Sequence, residues 1–419
     1  MTKSPPGKLK QGYALFGDAV PANQFDFDFL ALAEKILNNG TSSSNRTQQD
    51  TIKTFGEHLA LDLFSGFPMP TTKQLFLRGT AKELHWFLDG KTNIQELLDE
   101  DVHIWDGWAN ANGDLGPVYG EQWRGREEIH RVVSTDPYFE TKFDYLRSLS
   151  DDVCDQNDSR LQGQSTYSYE YFDNPATQVR SHYFIRKFDQ IKNAIYRLKN
   201  YPDCRRIIVD AWNPNVIPVD GLPPKDQVEI GKQALPACHT IFQFGSADAG
   251  ENIMGERAIH NVYTIDGQTT INGFPVEYTE NELYEMSEVS LLKILASMSG
   301  LVETKRELSL AMYQRSQDLF LGAPFNIASY AMLNGYVAAV TGMIPRKLDI
   351  FVGDTHIYKN HIEAFKKQGS NLENSKSLPL LITFGVGPQQ KTDLRGLGKQ
   401  NYRVVGYQHC GHIPADVAI

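Results

Sequence analysis

Apolar residues along this chain fall into two kinds of stretch, those repeating at helical spacing and those forming short dense runs. Phe29, Leu32, Ala33, Ile36 and Leu37 share one face of a predicted helix that Asn39-Gly40 ends. Thr51 to Phe64 alternates as one strand or two, and Phe67-Pro68 and Pro70 break the chain after it. Leu75 to Leu88 returns to helical spacing, with Gly90 as its stop. Arg206 to Trp212 and His239 to Phe244 read as core strands. The longest apolar run, Ala323 to Val340, carries Asn326, Ser329, Asn334 and Gly335, so it predicts a helix buried in a core rather than a membrane span.

Two segments break this pattern. Residues 125–190 hold Asp151-Asp152, Asp155, Asn157-Asp158-Ser159 and a polar aromatic run from Tyr167 to Phe172. Residues 245–308 open with a predicted loop, Gly245 to Gly255, and contain a predicted amphipathic helix, Glu280 to Met298. Neither has a dense apolar pattern of its own, so both read as insertions decorating one core. Residues 1–24, with Pro5-Pro6 and Pro21, read as an extension, leaving 25–419 as a single domain.

At 419 residues and 41% apolar, the chain is long enough for one large core or two ordinary ones. A formal charge of −10 argues against a dedicated nucleic-acid surface, though not against a local basic pocket for a small phosphate. Cys154, Cys204, Cys238 and Cys410 are widely spaced, which suits a reducing compartment, and a cytoplasmic location is expected. Met1 to Lys10 has cations but no apolar core behind them, so no signal peptide is expected there. His409, Cys410 and His412 are too crowded to converge on one ion, and no metal site is expected.

Chemistry enters with Pro236-Ala237-Cys238-His239-Thr240 and the motifs downstream of it. A thiol acts as a nucleophile only as thiolate and needs a nearby cation or base. Adjacent strand residues point to opposite faces, so Arg315 in Gln314-Arg315-Ser316-Gln317-Asp318 is a better partner for Cys238 than His239 is. Arg46, the pair Arg205-Arg206, and Arg315-Ser316 offer the forked donors and hydroxyl that a phosphate monoester wants. Asn326, in Pro324-Phe325-Asn326-Ile327, can match the adjacent carbonyl and N–H of uracil, whereas a carboxylate there would suit cytosine. Taken alone, Asn326 also reads as a helix N-cap.

These motifs, with Gly353-Asp354-Thr355-His356-Ile357-Tyr358, resemble the thymidylate synthase family, which includes the pyrimidine-nucleotide hydroxymethylases. So do Asn45-Arg46-Thr47, Phe67 to Lys73, Glu83 to Leu88, Lys91 to Ile94, Val102 to Trp108, Gly113 to Gly120, Gln122-Trp123-Arg124 and the closing Val417-Ala418-Ile419. The resemblance covers most of the chain outside the two insertions and residues 1–24. Ala237 stands where the family often has proline, and Gly406 to Gly411 departs from the usual approach to the tail.

The resemblance implies an α/β (α+β) fold, a mixed β-sheet core flanked by helices. It implies that Cys238 adds to C6 of dUMP, and that Arg46, Arg315 and Ser316 bind the 5′-phosphate. Arg205 and Arg206 would join them from the second subunit of a homodimer. Asn326 would read the base, His356 and Tyr358 would hold the 3′-hydroxyl, and Gln314 belongs to the same substrate-binding set. Asp318 would anchor the pterin of 5,10-methylenetetrahydrofolate, with Trp105, Trp108, Leu321, Gly322 and Phe325 packed around it and Ala418 on the closing tail. Lys73 would meet the folate's glutamate tail, Glu83 and Tyr119 would organise water and proton transfers, and His239 would sit by the nucleophile. Two exits from the shared intermediate follow: hydride reduction to dTMP, favoured by Trp105, Trp108 and the tail, or water addition to 5-hydroxymethyl-dUMP, which the insertions and altered tail approach keep open. A regulatory relative that grips RNA is the remaining alternative, disfavoured by the acidic balance.

Overall fold

A computed structural model describes residues 13–17, 19–44, 49–150, 165–253, 257–298 and 301–416. Its centre is the helix Gly322–Thr341, buried at every position from Ile327 to Val340. A helix apolar all round is stable only when covered on all sides. One cover is a six-stranded sheet in the order β1 (Thr41–Ser43), β2 (Thr51–Asp62), β12 (Ile344–Tyr358), β11 (Val302–Asp318), β7 (His239–Ile253) and β6 (Ile208–Asp210). Strand alternation sends Leu308, Leu310 and Met312 of β11, and Leu348, Ile350 and Val352 of β12, into the core. The opposite face leaves Tyr313, Phe351, Ile241 and Ile208 exposed. Strands β11 and β12 are parallel, and the central helix is the crossover that parallel pairing requires.

A five-stranded sheet, β10 (Phe274–Pro275), β9 (Gln268–Ile271), β8 (Ile259–Ile265), β13 (Leu380–Phe384) and β14 (Tyr402–Val405), has a smaller core of its own around Val262, Ile271, Leu291, Ile382 and Phe384. A three-stranded sheet, β3 (Arg126–Val133), β5 (Val179–Phe188) and β4 (Ser165–Asn174), has a small buried apolar cluster of Val132, Phe184 and Leu146 among the described residues, the last from the helix Phe139–Ser150. No helix among the described residues is long and apolar enough to cross a membrane.

Most sequence-read elements appear within a residue or two. The Thr51 to Phe64 stretch forms a single strand, Thr51–Asp62, and the Leu75 helix starts at Leu77. Two expectations are corrected. The predicted loop from Gly245 is strand as far as Ile253, because β7 continues to pair antiparallel with β11 up to Ile253 and Val302. The predicted helix Glu280 to Met298 is two helices, Glu280–Glu285 and Glu288–Ser297. Extended Met286 ends the first, and the Ser287 side chain accepts from the Ser290 N–H to cap the second.

Candidate active site

Cys238 precedes the first residue of β7, and its carbonyl accepts from the Arg315 N–H at 2.9 Å. The β7–β11 register shifts between Tyr313 and Gln314, an irregularity that re-aims the side chains beside the thiol. On the other flank β12 approaches closely: a Cβ at Gly353 would lie 2.9 Å from the Arg315 carbonyl oxygen, so only glycine fits. Arg315 folds back over the thiol loop. Its Nε and Nη2 each donate over 2.8 Å, to the carbonyls of Ala237 and Pro236, and Nη2 lies 3.7 Å from Cys238 Sγ. The guanidinium is thereby fixed as an electrostatic partner for a thiolate.

Behind the thiol the surroundings are dry and aromatic. The Tyr119 hydroxyl accepts from the Cys238 N–H at 2.7 Å, and burial holds its phenol well above the usual range. His239 packs between Tyr119 and Tyr330, with ring centroids 5.4 Å and 5.3 Å away. Burial pushes its imidazole down to about 4, against a smaller opposing effect of a hydrogen bond with Asn326, so it is neutral near pH 7. Glu83 accepts from the Trp105 indole N–H at 2.8 Å, and burial pushes its carboxyl up to about 7 while that bond pulls the other way. A carboxyl poised there can take or give a proton at neutral pH. Trp105 meets Trp108 edge to face at 5.9 Å and Tyr119 at 6.2 Å.

Asp318 closes β11, and its Oδ1 accepts from the N–H groups of Phe320 and Leu321 at 3.0 Å and 3.4 Å. It thus shapes the turn into the central helix, where Leu321 is the cap, Gly322 the first residue and Phe325 lies in the first turn. Asn326 therefore sits inside the helix and does not cap it; its Oδ1 accepts from Gln314 Nε2. Across the sheet from Asp318 stands His356, bonded to Asp354, which also pairs with Lys53 at 2.7 Å. Tyr358 packs edge to face on His356. Ser316 lies one step from the thiol partner, in register with Asp354.

Other candidates are placed differently. Lys73 is buried, its Nζ donating to the Phe320 carbonyl and lying 3.6 Å from that ring's centroid. Burial pushes its ammonium down to about 7, with Asp318 opposing. Arg205 and Arg206 are exposed ahead of β6, with the Arg205 carbonyl accepting from Gln243, several residues along β7 from the thiol. Arg46 and Ala418 lie outside the described residues.

Sequence reasoning places Gln317 and Asp354 within motifs but gives them no role. It also misses Trp212, over which Arg315 lies at 5.9 Å, and Tyr330. Their signal is proximity to recognised motifs; their partners lie far away in the chain. The model of the family described as thymidylate synthase matches residues 27–258 and 280–419, running through 125–190 and skipping all of β8 to β10. With that match extending over most of its length, the chain belongs to the thymidylate synthase family, whose chemistry is one-carbon transfer to dUMP with methylenetetrahydrofolate as co-substrate.

Proposed function

We propose that this protein reductively methylates dUMP to dTMP, with 5,10-methylenetetrahydrofolate as both carbon donor and reductant. The Cys238 thiolate adds to C6, which makes C5 nucleophilic toward the folate methylene. Loss of the C5 proton and departure of tetrahydrofolate leave an exocyclic methylene, and hydride from the folate reduces it as Cys238 is expelled. Arg315 and Ser316 take the phosphate with Arg46, Asn326 reads the base, and His356 and Tyr358 hold the sugar. Glu83 exchanges protons with the base through water, and Tyr119 stays a phenol at neutral pH, its oxygen accepting from the Cys238 N–H.

The observation that carries the reductive exit is the Trp105 indole, fixed on Glu83 and packed edge to face on Trp108. That aromatic wall supports a site from which water is kept away while hydride moves. A homodimer belongs to this reading, supported by the exposed Tyr313, Phe351, Ile241 and Ile208 on one sheet face. Arg205 and Arg206, exposed at that sheet's edge, would complete the partner's phosphate site. Mixing protein, dUMP and methylenetetrahydrofolate tests the exit. One dihydrofolate per dTMP, read by near-ultraviolet absorbance and mass, supports the reading. A nucleotide carrying an extra hydroxyl, without dihydrofolate, replaces it with hydroxymethylation.

A further inference from the structure

Asn326 does not choose its own orientation. Gln314 Nε2 donates to the Ser316 backbone carbonyl and to Asn326 Oδ1, each at 3.0 Å. A backbone carbonyl can only accept, so the end of Gln314 that faces it must be the NH2 group. The Asn326 atom sharing that donor must then be its oxygen. The other end of Gln314 is consequently an acceptor, and Gln317 Nε2 donates to it at 3.0 Å. Gln317 Oε1 in turn accepts from the Thr355 hydroxyl at 3.2 Å, across the parallel β11–β12 pair where the two residues are in register. Gln314, Gln317 and Thr355 are 2%, 3% and 0% exposed, so breaking any of these bonds leaves a buried polar atom unpaired.

We propose that Gln317 and Thr355 are positioning residues for pyrimidine choice, holding Gln314, already turned by the Ser316 carbonyl, in the polarity with which Asn326 meets the base. Gln314 holds one lone pair of Asn326 Oδ1, which fixes the order of the amide's two ends: Oδ1 keeps a second lone pair for the ring N–H, and the NH2 is the donor for the neighbouring position. That donor complements the 4-carbonyl of uracil and opposes the 4-amino group of cytosine. This rests on the reading of Asn326 as the base contact.

The test is binding of dUMP, dCMP and deoxyribose 5-phosphate by calorimetry, with kcat/KM for the two nucleotides. Gln317→Met keeps the side-chain length and removes both bonds. Its dUMP-over-dCMP preference is expected to fall about tenfold or more, the scale set by leaving one buried polar group unpaired, with deoxyribose 5-phosphate binding unchanged. Thr355→Val moves the preference in the same direction, and Thr355→Ser restores it. Should Gln317→Met fail to fold, the Thr355 pair carries the test from the other end. A preference unchanged in these variants, while Asn326→Asp alters it, overturns the relay and leaves Asn326 as base reader. A preference insensitive to Asn326→Asp as well overturns the base-reader assignment beneath it. Equal weakening of all three ligands reduces Gln317 and Thr355 to structural roles and contradicts the proposal.

Discussion

The cleft around Cys238 and the three-stranded sheet β3–β5–β4 treat polar groups in opposite ways. In the cleft Glu83, His239, Tyr119 and Lys73 are desolvated and pushed toward their neutral forms. Around the small sheet, charges stay in water and pair with each other, as Arg180 does with Asp173 and Lys142 with Asp136. Desolvating titratable groups costs free energy, and beside the small core of Val132, Leu146 and Phe184 burial lowers the pKa of His182 while the paired charges named above stay in contact with water. Beside the central helix four such groups are desolvated together. Polar chemistry is thus concentrated where apolar burial is deepest. The small sheet is instead tied on at its neck by Arg124–Asp189, Arg126–Asp210 and Arg395–Asp189.

The contrast breaks first at the thiol. Cys238→Ser should lower turnover by roughly a thousandfold or more, the scale seen when a nucleophile is removed, with unchanged thermal stability and dUMP binding. A modest loss in steady-state kinetics would mean that the desolvated cleft is not where bond making occurs. Asn326→Asp should come next, moving preference from dUMP toward dCMP by about a hundredfold; competition kinetics with both nucleotides read it directly.

Stability against pH sharpens the comparison. The fold prefers neutral Glu83, whose pKa is raised from 4.5 to about 7, so its contribution is full below pH 4.5 and is lost as pH rises through 7. Glu83→Gln should therefore gain stability relative to the parent between pH 5 and pH 8, measured by urea unfolding. Lys73 has the opposite sign. Its pKa falls from 10.5 to about 7, so the unfolded chain binds more protons in that window and stability rises with pH across it. Lys73→Met should flatten that rise, and a slope that survives would show the ammonium to be hydrated.

The smallest effect on activity belongs to the appended sheet. Phe184→Ala should cost about 3 kcal/mol locally, seen as faster proteolysis within 126–188, while turnover changes less than about threefold.

Much of the core was legible in the sequence because its signals are local. Helical spacing gave the Gln24–Asn39 and Leu77–Leu88 helices, and the unbroken apolar run gave the central one. Cys238, Arg315 and Asn326 stood out by motif, and the structure links Arg315 to the Cys238 loop and Asn326 to Gln314. What escaped depends on pairing between distant strands. Gln317 and Thr355 meet only because β11 and β12 align in parallel, with the whole central helix between them in sequence. The extension of β7 past Gly245 is dictated by its partner β11, since glycine-rich sequence alone favours a loop. The resemblance assigns Lys73 to the folate's glutamate tail, and nothing local in the sequence shows that Phe320 covers it.

The central claim is that Cys238 forms the covalent bond to the pyrimidine. Incubating the protein with 5-fluoro-dUMP and methylenetetrahydrofolate, then digesting it and sequencing the labelled peptide by mass spectrometry, tests this most directly. The account predicts one adduct per active site, carrying nucleotide and folate on Cys238, and none in Cys238→Ser. An adduct on Cys154, Cys204 or Cys410, or no covalent species in an active preparation, would contradict it.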